Sequence, residues 1–430
     1  MIMNNRRSFI KKTAALGIGA FGINSLFNEL HAADFQSAEN FWNDDIGNNE
    51  DYWEVIQEAY SASKSDIIIL NNGGVSRSPL VVQEALEKYN RQAAQGPSYY
   101  MWRIMDKGRE PLRQRLAALG GCDPEEVAIN RNATEALNTV IFGLPLQKGD
   151  EVIGMKFDYP NMMNAWRQRQ LRDGIVYKQL SFEFPIENDA MIVKTYEDAI
   201  TPNTKIIHLT HVVNWVGQIM PVKKICQMAH KKGVEVIVDG AHSFGLLDFK
   251  IADLECDYFG TSLHKFLSAP VGSGMMWVKK DKIAKIWPLV CNHEPTSADI
   301  RKFETLGTRS FCIEQAIGEA INFQEAIGTK RKQERIHYLK KYWAEKAQQI
   351  PGVKIHTSLK PEYSCAIAGV SVEGVKPGEL ESKLFTDFKI HTTPISYEYV
   401  NCVRVTPHVY TKISDLDRLV GALEKISKKA

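Results

Sequence analysis

The sequence predicts an α/β protein: a large domain on a mostly parallel sheet with helices on both faces, then a small α+β domain. Three observations carry this. From residue 64 to about 300, short β-branched apolar runs alternate with stretches of helical spacing, the pattern of strand–helix–strand crossovers. After Pro351 that alternation gives way to short strands and helices in mixed order. A chain of 430 residues has room for one large and one small domain.

The elements follow in order. Residues 1–33 carry Arg6-Arg7-Ser8-Phe9-Ile10-Lys11, an apolar run at 13–27 and small residues at Ala32-Ala33, a pattern that resembles a twin-arginine export signal. That run is too short and too glycine-rich to span a bilayer. Residues 34–63 are polar and aromatic, with a helical run near 52–60, and are expected to pack on the small domain. The large domain is expected over 64–310. It begins with a strand at 67–70 that ends in Asn71-Asn72-Gly73-Gly74, a turn signal. Helices are predicted at 80–92 and 108–119. A strand at 127–130 leads into a helix opening at Asn132-Ala133-Thr134, whose free N–H groups suit a phosphate. The next strand, 151–156, ends near Tyr159, and the strand at 205–210 runs into His211-Val212-Val213-Asn214. A crossover helix at 222–232 then leads to the run 234–238, which reads as a buried strand and ends in Asp239. After 257–260 comes Ser262-Leu263-His264-Lys265. Two long helices, at 313–327 and 330–349, open a small domain expected over 311–430. Within it, strands are predicted at 365–372 and 390–395, and helices at 377–387 and 413–426.

An acid at one strand end and a lysine just past another is the pair that pyridoxal 5′-phosphate (PLP) requires. The lysine amine forms a Schiff base with the cofactor aldehyde, and the acid keeps a proton on the pyridine nitrogen. An anion beside that nitrogen raises its pKa, because opposite charge favours the protonated form. Ser262 and His264 flank the lysine and can donate to phosphate oxygens.

Together the segments VDGAHSFG, TSLHKF and GSGMMWV resemble the class V aminotransferases, a family of fold-type I PLP enzymes that includes isopenicillin N epimerase-like proteins and cysteine desulfurases. The resemblance covers about residues 64–426. It implies a seven-stranded sheet in the large domain, a homodimer with active sites at the interface, and a PLP enzyme acting at Cα of a small-molecule α-amino acid, by transamination or epimerisation. It also assigns roles. Lys265, Asp239 and Tyr159 are the catalytic set, with Tyr159 stacked on the cofactor ring where desulfurases carry histidine. Ala133, Thr134, Ser262, His264 and Thr308 would hold the phosphate, Thr308 by reaching the partner subunit's cofactor. Asn214 and His242 would face the phenolic oxygen. Asn72, Gly73 and Arg404 would meet the substrate, the arginine fork taking its carboxylate.

Alternatives stay open at this stage: a PLP-dependent lyase of kynureninase or desulfurase type, or a protein that binds PLP without catalysis. Desulfurases need a thiol on a loop shortly before the carboxylate-binding arginine, and residues 389–401 contain no cysteine. The seven cysteines are scattered without a CxxC pair, which argues against a zinc or dithiol site. A formal net charge of +2 without basic clusters outside the N-terminus and a few exposed helices argues against nucleic acid as the main partner. The absence of G-x-G-x-x-G after the first strand argues against a dinucleotide fold. Export by the twin-arginine machinery predicts a periplasmic or external location.

Overall fold

The computed structural model describes residues 46–60 and 65–429. The segment 1–33, expected to direct export, therefore lies outside the described residues, as does part of 34–63.

The large domain is built on seven strands: β2 (Val127–Asn130), β3 (Glu151–Met155), β4 (Val176–Leu180), β5 (Thr204–Thr210), β6 (Glu235–Asp239), β7 (Tyr258–Ser262) and β8 (Gly274–Val278). Their order across the sheet is β2-β8-β7-β6-β5-β3-β4. Only β8 runs against the rest, antiparallel to both β2 and β7. Consecutive residues of the central strands belong to different cores. Ile153, Ile207, Val236, Val238 and Phe259 join one, while Val152, Ile206, Ile237 and Tyr258 join the other. Burial on both faces is why these strands read as unbroken apolar runs. Strand β4 at the edge is only half covered and mixes polar with apolar residues, which hid it in the sequence.

The carboxyl ends of β5, β6 and β7 are in register, Thr210 opposite Asp239 and Asp239 opposite Gly260. Ligands of open α/β sheets bind beyond this edge. Gly240 is required here by close approach, since a Cβ would stand 2.0 Å from the Phe259 ring.

The small domain holds an antiparallel sheet of order β12-β13-β10-β9, from Val353–Ile355 (β9), Ala368–Val372 (β10), Thr393–Tyr397 (β12) and Val400–Val405 (β13). The strand expected over 390–395 is split at Thr392. Its first part, β11 (Ile390–His391), pairs in parallel with β1 (Ile68–Ile69), whereas β12 turns to pair with β13. The strand expected from residue 365 begins instead at Ala368, because Cys365, Ala366 and Ile367 pack with the apolar face of the Glu50–Glu58 helix. That helix is also tied to the small domain by Glu50, which accepts from Arg335 at 2.9 Å.

Packing moves the domain junction. The helix Phe311–Ile327, expected to open the small domain at 311, buries Ile317, Ala320 and Ile321 in the large-domain core. The helix Thr329–Ala347 buries Leu339 and Trp343 in the small one. The division falls at Gly328, whose φ of +84° suits a residue without Cβ. Among the described residues no helix is long and apolar enough to cross a membrane.

Candidate active site

Lys265 lies in the turn that follows β7, half-buried, with its amine 3.2 Å from Nε2 of His242. Burial brings the ammonium down to about 8; Asp239 opposes that shift and Arg404 adds to it. Acid, amine and guanidinium thus share one site at the carboxyl edge of the sheet. Asp239 is buried at the end of β6, and its Oδ1 accepts from the Ala241 N–H at 2.9 Å. Burial raises its pKa, while that hydrogen bond and the Lys265 charge resist.

The Ala133–Gly143 helix points its N-terminus at the same edge. The Ala133 N–H donates to Ser262 Oγ at 3.0 Å, and the Glu135 N–H is capped by Asn132 Oδ1 at 2.9 Å. Ala133, expected to give its amide to a phosphate, therefore gives it to Ser262. Of the first three amides of the helix, that of Thr134 is left for a ligand, beside its own hydroxyl and the Ser262 O–H. His264 Nδ1 is 3.2 Å from the Ser273 carbonyl, an N–H···O contact that leaves Nε2 for a ligand.

On the far side, β13 carries Arg404. Its Nη1 donates to the Asn214 carbonyl at 3.0 Å and its Nη2 to Asn71 Oδ1 at 2.8 Å, while its buried Nε has no partner among the described residues. Burial lowers the guanidinium to about 10, resisted by the Cys402 thiol and the Tyr159 hydroxyl. Gly73 leaves room beside it. A Cβ there would stand 3.7 Å from Arg404 Cζ and 3.4 Å from Thr406 Oγ1.

The structure corrects one assignment, at Asn72, and places His242 and Thr308. Asn72, expected at the substrate, is fully buried and turned away; its Nδ2 donates to the carbonyls of Thr406 at 2.8 Å and Ile69 at 3.2 Å, and its Oδ1 accepts from Tyr410. Asn71, which sequence reasoning passed over, is the one bonded to Arg404. His242, expected at a phenolic oxygen, has Nε2 2.8 Å from the Gly73 carbonyl and 3.2 Å from the Lys265 amine, so it stands between the Gly73 turn and the lysine. Thr308, expected to reach the partner subunit's cofactor, is exposed on the segment after the 3-10 turn Ile300–Glu304. Tyr159 stands just past β3 and is 40% exposed, an aromatic face open for stacking.

These residues fit PLP. An amine of lowered basicity, a buried acid, donors at a helix N-terminus and a buried Oδ1 on Asn214 without a partner among the described residues together supply the groups that such a cofactor engages.

Comparison with known proteins agrees. A family model described as Aminotransferase class-V matches residues 68–419. Isopenicillin N epimerase of Amycolatopsis lactamdurans is 28% identical over 397 residues, covering 87% of this chain and 99% of that protein. A probable cysteine desulfurase of Halalkalibacterium halodurans is 26% identical over 388 residues, covering 84% of this chain and 93% of the relative. A variant of the protein C-DES, solved with glycine covalently linked to its PLP cofactor, superposes with a TM-score of 0.77 at 22% identity, over 86% of this chain and 98% of that one.

Proposed function

The chain belongs to the class V aminotransferase family, and from that premise we propose that this PLP-dependent enzyme moves a proton at Cα of an α-amino acid, ending in transamination or epimerisation. The observation that carries the reading is the run of short contacts from the Lys265 amine through His242 at 3.2 Å to the Gly73 carbonyl at 2.8 Å, beside Arg404, with Asp239 at the end of the neighbouring strand; it supports a cofactor acid and a carboxylate fork around one reacting centre.

The cofactor, when bound, supplies an aldehyde for an amine and a ring that takes up electrons from Cα. The chain supplies the rest. Lys265 is the covalent attachment point and the base at Cα, and its lowered pKa increases the neutral fraction that both tasks need. Asp239 holds the ring-nitrogen proton. Arg404 keeps its Nε–H and its remaining Nη hydrogens for a substrate carboxylate, with its plane fixed by Asn214 and Asn71. Thr134, Ser262 and His264 take the phosphate, and Tyr159 stacks on the ring.

A desulfurase reading has less support. Cys402 is buried in β13, with its thiol pushed up to about 12 by that burial. The preceding segment is a β12–β13 hairpin. Incubation with an amino-acid panel in deuterium oxide tests the reaction type. Transamination yields a keto acid and pyridoxamine phosphate; epimerisation yields solvent deuterium at Cα with inversion. The rates in Cys402→Ala are expected to stay within about threefold of the parent. Alanine release from cysteine that disappears in Cys402→Ala, or in the same change at the exposed Cys291, would overturn the reading.

The same proposal includes a homodimer and export. Exposed Tyr99, Trp102 and Ile104 and the outward Thr308 support a partner subunit at the site, and a monomer mass for the cofactor-loaded protein would contradict it. Arg6 and Arg7 support the twin-arginine route to the periplasm. Changing both to lysine is expected to leave the precursor in the cytoplasm, and unchanged delivery would contradict it.

A further inference from the structure

Asp158 has no part in the chemistry above, yet it is a carboxyl with 0% exposure beside the active-site edge. Its Oδ2 accepts from the Met155 N–H at 2.7 Å, at the end of β3, and its Oδ1 is 2.7 Å from the Thr210 hydroxyl, at the end of β5. Both strand ends feed the site: Tyr159 follows Asp158 directly, and His211 to Asn214 follow Thr210. Gly154 is needed for this arrangement. A Cβ there would stand 2.8 Å from both Asp158 Oδ2 and the Tyr177 hydroxyl.

We propose that Asp158 is a positioning residue, a hydrogen-bond clamp across the ends of β3 and β5 that sets Tyr159 and the Asn214 segment at the cofactor. The proposal rests on the PLP reading for its consequence, though not for the clamp itself. Asp158 acts through shape and hydrogen bonds rather than charge. The titratable groups that bear on it are Tyr177 from β4, Tyr196 from the helix Asp189–Ala199, Tyr397 from β12 and Asp239 from β6; Arg167, on the helix Pro160–Asp173, acts on Tyr177 and Tyr397, and Asp158 has no ion pair among the described residues. A buried carboxylate without a cation is disfavoured. Burial pushes Asp158 up to about 7, aided by Asp239 and opposed by the two hydrogen bonds. Its folded pKa thus lies above the ordinary carboxyl value. The stability it contributes is full below that ordinary value and is lost as pH rises through about 7.

Asparagine can keep the clamp, its amide oxygen on the Met155 N–H and its amide nitrogen donating to Thr210 Oγ. Alanine removes both bonds. For the full-length Asp158→Asn protein, PLP affinity and the visible spectrum are expected to stay near the parent's, within about threefold in affinity. Asp158→Ala is expected to bind PLP at least about tenfold more weakly, with a changed spectrum. In the cofactor-free proteins, the melting temperature of Asp158→Asn relative to the parent should increase between about pH 5 and about pH 8. Asparagine as damaging as alanine, or alanine as harmless as asparagine, would overturn the clamp. If alanine does not fold, the asparagine protein decides alone: parent-like PLP affinity with the pH-dependent gain supports the proposal, and loss of either contradicts it. A parent protein that takes no PLP would sink the cofactor reading, while the melting comparison would still judge the clamp.

Discussion

Lys265→Ala is expected to lower kcat/KM by about 10⁴-fold or more, because one change removes both the covalent anchor and the base at Cα. The fold should survive. The lysine occupies a turn beyond β7, half-buried, and its amine lies 3.2 Å from His242 Nε2 without an ion pair among the described residues. Removing an ammonium whose pKa burial has depressed also relieves an unfavourable desolvation. The variant should therefore melt no lower than the parent and retain PLP non-covalently through the Thr134 and Ser262 donors. Small primary amines added to the solution should restore a measurable fraction of activity. An alanine variant with parental turnover would remove Lys265 from the chemistry.

Asp239→Asn is expected to cost about 10³-fold in kcat, close to 4 kcal/mol of transition-state stabilisation, with a much smaller change in KM. An amide cannot supply the negative charge that keeps the ring nitrogen protonated, whereas the carboxylate fork at Arg404 is untouched. Stability should move the other way. Burial raises the Asp239 pKa in the folded chain, so its contribution is full below the ordinary carboxyl range and declines as pH rises through the folded value. Without cofactor, the asparagine variant should melt higher than the parent at about pH 8 and differ less at about pH 5. Thermal melts and steady-state kinetics on one preparation test both halves. Equal losses in kcat and stability would mean that Asp239 is structural.

The central sheet was legible because strands buried on both faces leave long apolar runs, as in Val236-Ile237-Val238, and because Asp239 and Lys265 sit where such strands end. Edge strand β4 was not legible, since half-exposed strands carry mixed residues. Adjacent, chemically identical Asn71 and Asn72 could not be told apart from sequence. Their directions are set by Thr406, which bridges to Asn71 and accepts from Asn72, more than three hundred positions along the chain. Asp158 looked like any loop acid ahead of a helix, because its burial depends on Thr210 and Met155 converging from separate strands. The junction at Gly328 was missed for a related reason: an apolar helix face does not say which core it joins. Local chemistry was readable, and long-range pairing was not.

The most direct test of the account is borohydride reduction of the PLP-loaded protein followed by peptide mapping. The account predicts one pyridoxyl group per chain, on Lys265. A label on any other lysine, or no label after reconstitution with PLP, would contradict it.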